Sequence, residues 1–366
     1  MAQQRFTAGI IGLGFGRGHI PAFQTNGVDV VAVCQRDRAA AEAVAAKYGV
    51  PRVFERWEQL LAEARPDIVV IAAPPHLHRA IALAAFDGGA HVLCEKPLAM
   101  TAAQGRDMVA AAARARRVAM TSFNWRFPAA MQRFHTMVEA GHVGRPFHIG
   151  ARWLGGRLAD QAAPGTWRMH RDQAGHGAMG DAGVHVIDLI RWSFGEFSRV
   201  TADAGIAYPD RSAPGETRAA DAEDFCSVMA ELASGARVTF TVSRVARGIT
   251  EQTLECYGTA GALSYRMDRA GRQWYRGELK ATGEGGGELS PVRVAARLPS
   301  ATGKGDQLEV TGKATIGPLV ARFLTAIRTG EPTSPSLEDG VRAQEVLDAV
   351  LESLRIGGWV RVRPTS

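Results

Sequence analysis

Through the first 124 residues, short apolar runs alternate with longer helical stretches. Phe6 to Ile11 is one apolar run and Val28 to Cys34 a second. Asp67 to Ala73 is continuously apolar, as in strands buried on both faces of a parallel sheet. His91 to Cys94 and Val118 to Phe123 read the same way. Between these runs lie helical segments: Ile20 to Asn26, stopped by Gly27; Ala39 to Tyr48, ended by Gly49 and Pro51; and Ile81 to Phe86, broken by Gly88-Gly89. Thr101 to Gln104 is a capping box that opens an Ala-rich helix to about Arg116. Strand and helix alternate without interruption, which predicts an α/β, doubly wound parallel sheet.

The pattern changes after Gly141, Gly144 and Pro146. Val238, Phe240 and Val242 alternate with Arg237, Thr239, Thr241 and Ser243, a half-buried strand. Phe147 to Trp153, Phe225 to Leu232 and Thr253 to Tyr257 look similar. A C-terminal α+β domain is expected, with a large, mainly antiparallel sheet. One face would lie on a core and the other would be open to solvent or a second subunit. Thr282 to Gly287 reads as a flexible loop. Ile316, Leu319, Val320, Phe323, Leu324 and Ile327 form one helical core stripe. Ala343, Val346, Leu347, Val350, Leu351 and Leu354 form another.

Composition narrows the function classes. The chain has 366 residues, 46% apolar and 22% charged, with net charge +6 and a pI of about 9.4. The arginines are scattered with no run of five like charges, so the charge suits small anionic molecules, and no nucleic-acid partner is expected. Four cysteines lie far apart without a CxxC, which fits reduced thiols in a cytoplasmic protein. No signal peptide is read, and no apolar run approaches the ~20 residues that span a membrane.

Candidate chemistry sits at the strand ends. Gly12-Leu13-Gly14-Phe15-Gly16-Arg17-Gly18 follows the first strand and opens a helix, the strand–loop–helix–strand unit of a dinucleotide site. Glycines let the backbone approach a pyrophosphate, and the helix start offers free N–H groups. A tight turn is the plainer alternative. Arg17 stands where the third glycine of the fingerprint belongs. The second strand ends Cys34-Gln35-Arg36-Asp37. Gln35 removes the charge that would repel a 2′-phosphate and Arg36 attracts one, which favours NADP; alternatively Asp37 serves as the ribose acid for NAD. Ala73, Pro74 and His78 lie at the carboxyl end of a strand, where ligands bind in such sheets. His76 and His78 lack a third ligand nearby, so no metal site is expected. Glu95-Lys96-Pro97 follows the strand His91 to Cys94, and Lys96 is one of only five lysines. The proline restricts the backbone before it, which holds the ammonium in place; a solvated lysine paired with Glu95 is the alternative. Asp181, His185 and Asp188 share one helical face, where an Asp one turn before a His can raise its basicity. A helix-capping Asp and a packed core histidine would show the same spacing.

Taken together, these residues resemble the glucose-fructose oxidoreductase, inositol dehydrogenase and rhizopine-catabolism family, the Gfo/Idh/MocA family. The resemblance runs through Gly12-Leu13-Gly14 with His19, Pro74 to His78, Glu95-Lys96-Pro97, Asn124-Trp125-Arg126, Trp167-Arg168, the run into Asp181 and His185, and Tyr257-Gly258-Thr259-Ala260-Gly261. It implies an NAD(P)-binding Rossmann domain over 1–124 and a substrate-binding, oligomerising domain over 125–366. It implies catalytic roles for Lys96, His185 and Asp181. Gly12, Leu13, Gly14, Phe15, Gly16, Gln35, Arg36, Ala73, Pro74, His78, Glu95, Lys96, Trp167 and Arg168 would contact the cofactor. The implied activity is oxidation or reduction of a secondary alcohol on a sugar or cyclic polyol, in a homodimer or homotetramer built on the open sheet face. Arg17, Gln35 and His176 depart from the family pattern of glycine, acid and glycine.

Overall fold

A computed structural model describes residues 5–211, 218–269, 274–283, 286–294 and 307–364. Its contacts divide the chain into two compact units, one formed by Met1–Phe127 with Leu298–Val341, the other by Pro128–Arg297 with Arg342–Ser366.

The first unit is built on six strands: β1 (Thr7–Ile11), β2 (Asp29–Cys34), β3 (Arg52–Phe54), β4 (Ile68–Ile71), β5 (His91–Cys94) and β6 (Ala119–Thr121). They pair in the order β3-β2-β1-β4-β5-β6, parallel throughout. Successive side chains go to opposite faces. Ile10, Val33, Val70, Leu93 and Met120 join one core with Ile20 and Phe23, while Ile11, Cys34, Ile71, Val92 and Cys94 join another with Ile81 and Met108. Burial on both faces explains why these strands are apolar runs without alternation. The strand order reverses direction beside β1, which opens a crevice at the carboxyl ends of β1 and β4. The first core also takes Ile316, Leu319, Val320 and Phe323, so the stripe of Gly317–Thr329 belongs to this unit and not to the second. Asn26 donates to the Gly317 carbonyl at 3.1 Å, and a Cβ on Gly312 would fall 2.2 Å from the Gly18 carbonyl oxygen. The chain thus returns from far downstream to back the glycine-loop helix.

The second unit carries a nine-stranded sheet among the described residues: β7 (Pro146–Leu154), β8 (Phe197–Gly205), β9 (Phe225–Leu232), β10 (Arg237–Ser243), β11 (Glu251–Gly258), β12 (Ala262–Asp268), β13 (Glu278–Gly283), β14 (Gly286–Pro291) and β15 (Val360–Arg361). Its order is β14-β13-β12-β11-β7-β10-β9-β8-β15, antiparallel except where β7 meets β10. Cys226, Val228, Ala230 and Leu232 point into the core, whereas Phe225, Ser227 and Met229 point out. Phe147 and Met229, 49% and 54% exposed, stand on the open face. Thr282 to Gly287 departs from the expected loop. Thr282 and Gly283 end β13 and Gly286 and Gly287 begin β14; residues 284 and 285 lie outside the described residues. Among the described residues no helix is long and apolar enough to cross a membrane.

Candidate active site

The glycine loop leaves β1 at Gly12. Its φ is +89°, and a Cβ there would fall 2.4 Å from the Ala72 carbonyl oxygen, so only glycine fits. Gly14 is the opposite case: it is exposed, and a Cβ on it would meet nothing within 4 Å. That opening beside the crevice is where a pyrophosphate can reach the backbone, so the residues present fit a dinucleotide. Arg17 does not spoil the loop. The close approaches run through its neighbours: a Cβ on Gly16 would lie 2.9 Å from Ala72 Cβ, and one on Gly18 would lie 3.2 Å from Leu308. Arg17 itself points to solvent. Leu13 is buried and Phe15 half-buried, with its ring edge-on to His19 at 6.2 Å.

Gln35 is half-buried at the end of β2, and Arg36 is exposed beside it. Asp37 accepts a 3.0 Å hydrogen bond from the Ala40 amide, capping the helix Arg38–Tyr48. A carboxylate oxygen committed to that cap is less available to a ribose.

Lys96 stands two residues past the end of β5, after Glu95, and is half-buried. Glu95, 6% exposed, takes a 2.7 Å contact from His19 Nε2. Burial pushes the Glu95 carboxyl up, but the His19 hydrogen bond and charge and the Lys96 ammonium outweigh it and hold the group below the ordinary value of 4.5. On the other side of Lys96, the bond to Pro97 is cis. His78 is 1% exposed and opens the helix His78–Asp87. Its Nδ1 lies 3.1 and 3.2 Å from the Pro97 and Leu98 carbonyls, and its Nε2 lies 2.8 Å from the Ala73 carbonyl. Both ring nitrogens of His78 therefore face backbone oxygens. Ala73 and Pro74 are half-buried between β4 and this helix. Among the described residues no cluster of three or more His, Cys, Asp or Glu side chains could hold a metal.

In the second unit, Met179–Gly183 forms a π turn that runs into the helix Val184–Phe194. The wider turn replaces the regular helical spacing expected between Asp181 and His185. The helix is buried on all sides from Val184 to Arg191, with His185 3% and Asp188 1% exposed. The His185 ring stacks on Trp153 of β7, centroids 5.3 Å apart and planes 18° apart. Asp181 is half-buried, with one oxygen 3.3 Å from the Arg157 guanidinium. The Asp181 charge also acts on Arg269, whose guanidinium burial pushes below its ordinary value. Trp167 and Arg168 belong to this unit. The Arg168 guanidinium lies 4.3 Å over the Trp167 ring. His176 is 2% exposed, and burial keeps its imidazole below the ordinary value despite the Glu223 and Asp348 charges.

Sequence reasoning missed what holds this helix. Buried Glu223 accepts from the Gly177 amide at 2.8 Å and the Met179 amide at 3.1 Å. A Cβ on Gly177 would fall 1.9 Å from the Glu223 carbonyl oxygen, so the two segments are in backbone contact. Next to it, Asp224 pairs with Arg244 at 2.8 Å, both buried, and Arg244 donates to the Arg168 carbonyl at 3.1 Å. The signal in the chain was two adjacent acids just ahead of an alternating strand, which by itself reads as a solvated turn.

Comparison with known proteins agrees with this architecture. Residues 6–123 match the family described as oxidoreductase family, NAD-binding Rossmann fold, and residues 131–264 match the GFO/IDH/MocA C-terminal domain. The chain is 30% identical to levoglucosan dehydrogenase of Pseudarthrobacter phenanthrenivorans, over 98% of this chain and 99% of that one. It is 29% identical to D-xylose 1-dehydrogenase (NADP(+)) 2 of Haloferax volcanii, over 97% and 98%. A solved structure of levoglucosan dehydrogenase in complex with NADH and levoglucosan superposes with a TM-score of 0.87 at 28% identity, covering 99% of this chain and all (100%) of that chain.

Proposed function

Because the chain belongs to the GFO/IDH/MocA family of NAD-binding oxidoreductases, we propose that it oxidises a secondary alcohol of a sugar or cyclic polyol, or runs the reverse reduction. The observation that carries this reading is Lys96 at the carboxyl end of β5, following a glutamate that meets His19 just after an open glycine loop, in a chain that also holds a buried histidine on the helix Val184–Phe194. A nicotinamide dinucleotide supplies the hydride acceptor. His185 takes the hydroxyl proton. Lys96 donates a hydrogen bond to the same oxygen and stabilises its developing negative charge. Asp181 orients the pair, and its contact with Arg157 holds its own carboxylate in place. The glycine loop receives the pyrophosphate, and Ala73, Pro74, Glu95, Trp167 and Arg168 complete the cofactor's surroundings.

We infer NADP as the preferred cofactor from uncharged Gln35 and exposed Arg36, with Asp37 engaged as a helix cap. The relatives include one named for NADP(+) and one solved with NADH, so position 35 carries this inference rather than the likeness. The open face around Phe147 and Met229 is where a second copy packs. Free, buried thiols at Cys34, Cys94, Cys226 and Cys256 fit a reducing, cytoplasmic setting.

The test is the absorbance of reduced nicotinamide on mixing protein, NAD or NADP, and a panel of sugars and polyols. Net reduction with at least one member is expected, faster with NADP. Release of a leaving group without net absorbance change would replace the dehydrogenase with a redox-neutral lyase or hydrolase on the same fold.

A further inference from the structure

Lys96 has two sequence neighbours, and each is tied by a buried histidine to a different loop of the first unit. Upstream, Glu95 meets His19 at 2.7 Å, and His19, fully buried, is the first residue of the helix that follows the glycine loop. The second Glu95 oxygen accepts from the Lys96 amide at 3.3 Å. Downstream, the Pro97 and Leu98 carbonyls meet His78 Nδ1, while His78 Nε2 meets the carbonyl of Ala73 in the loop after β4. The backbone on both sides of the lysine is therefore referenced to the two loops that flank the crevice.

We propose that His19 and His78 are positioning residues that together set where the Lys96 ammonium stands, one through Glu95 and the other through Pro97 and Leu98. This rests on the reading of Lys96 as the group that meets the reacting oxygen.

Two points separate this from ordinary core packing. Both rings present nitrogens, not carbon edges, to the residues beside Lys96. Their other attachments are the glycine-loop helix and the Ala73 loop, so a shift of either loop is passed to the lysine. A neutral imidazole carries one N–H, yet His78 faces oxygens on both sides. Burial works against its charged form and the surrounding carbonyls work for it, with burial prevailing. One N–H thus serves one of the two loops, and the ring packs between it and the other.

The chain's five lysines make the test direct. Reductive ¹³C-methylation of the whole protein labels each lysine while keeping its charge, and Lys96→Arg assigns the Lys96 signal. In His19→Leu and His78→Leu, that signal is expected to move towards the position of a solvent-exposed lysine while the other lysine signals stay put and report an intact fold. His19→Gln, whose amide can still donate to Glu95, is expected to restore the wild-type position. An unmoved Lys96 signal in both leucine variants overturns the proposal. Where a leucine variant does not fold, His19→Asn or His78→Asn breaks the same contact with a shorter polar side chain, and the same two results decide. Saturating NADPH, with binding confirmed by nicotinamide fluorescence, separates this from the proposed function: a wild-type Lys96 signal indifferent to bound NADPH contradicts placing Lys96 at the nicotinamide, whatever the histidine variants show.

Discussion

The surroundings of Lys96 and those of His185 are built in different ways. Lys96 stands at the end of a strand buried on both faces, and its neighbours are tied by His19, Glu95 and His78 to loops at adjacent strand ends. His185 lies on a helix entered through a π turn. Its ring stacks on Trp153 of β7, while the approach to the helix is held from separate places: Asp181 by Arg157 from the loop after β7, and the Gly177 and Met179 amides by Glu223 from the approach to β9. The first arrangement fixes backbone geometry, which suits a cofactor of constant shape. The second is assembled from side chains that distant segments bring together, where one substitution can change what is recognised without changing the fold.

Four perturbations sharpen or break this contrast. The largest effect is expected for His185→Ala. Loss of a positioned base should slow turnover by ~10²–10⁴-fold, roughly 3–5 kcal/mol of barrier. NADPH affinity, read by nicotinamide fluorescence, should stay nearly constant; a parallel loss of NADPH binding would mean the two regions are not separable. Next comes Glu223→Ala, which leaves the buried Gly177 and Met179 amides without their acceptor at roughly 1–3 kcal/mol each. It should lower the melting temperature and turnover together. Gly12→Ala follows. Left-handed backbone alone costs an alanine ~1–2 kcal/mol, and the clash with the Ala72 carbonyl adds to it. Cofactor binding should suffer most, which a fluorescence titration would read.

The smallest effect is graded with pH. Burial holds His78 and His176 below the ordinary value of 6.5, and burial with the Arg117 charge does the same to His91. The unfolded chain then binds protons that the native one refuses. Stability from these groups is complete above 6.5 and declines as pH falls below it. Glu95 is held below 4.5, so its contribution is present above 4.5 and is lost as pH falls through its lower native value. Calorimetry across this range should show a melting temperature that falls on acidification in two stages. A flat profile down to 4.5 would contradict the lowered values of the three imidazoles.

The first unit was largely legible because both sources of its order lie in short stretches of chain. Continuous apolar runs mark strands buried on two faces, and Gly12 and Gly14 mark a loop that needs bare backbone. What escaped notice there was β3, three residues of mixed burial, and the return of Gly317–Thr329 to back the glycine-loop helix. A core stripe tells that a helix is buried but not against what. In the second unit the alternating strands β7, β9, β10 and β11 could be read. β8, with irregular burial, and β13 and β14, with their glycines, could not. For the candidate site, spacing put Asp181 and His185 on one face of a regular helix, and only the family resemblance singled them out; the chain instead enters the helix through the π turn Met179–Gly183. Trp153, Glu223 and the Asp224–Arg244 pair were invisible because each acts on a residue many positions away, and only folding brings the partners together.

The most direct test is a double-mutant cycle on Lys96 and His185, measured as turnover on the panel compound the wild-type enzyme oxidises fastest. Groups that serve one oxygen in one step act as a unit, so Lys96→Ala with His185→Ala should be little slower than the worse single variant. Losses that multiply in full would show two groups working independently and would contradict a shared proton-and-hydride step.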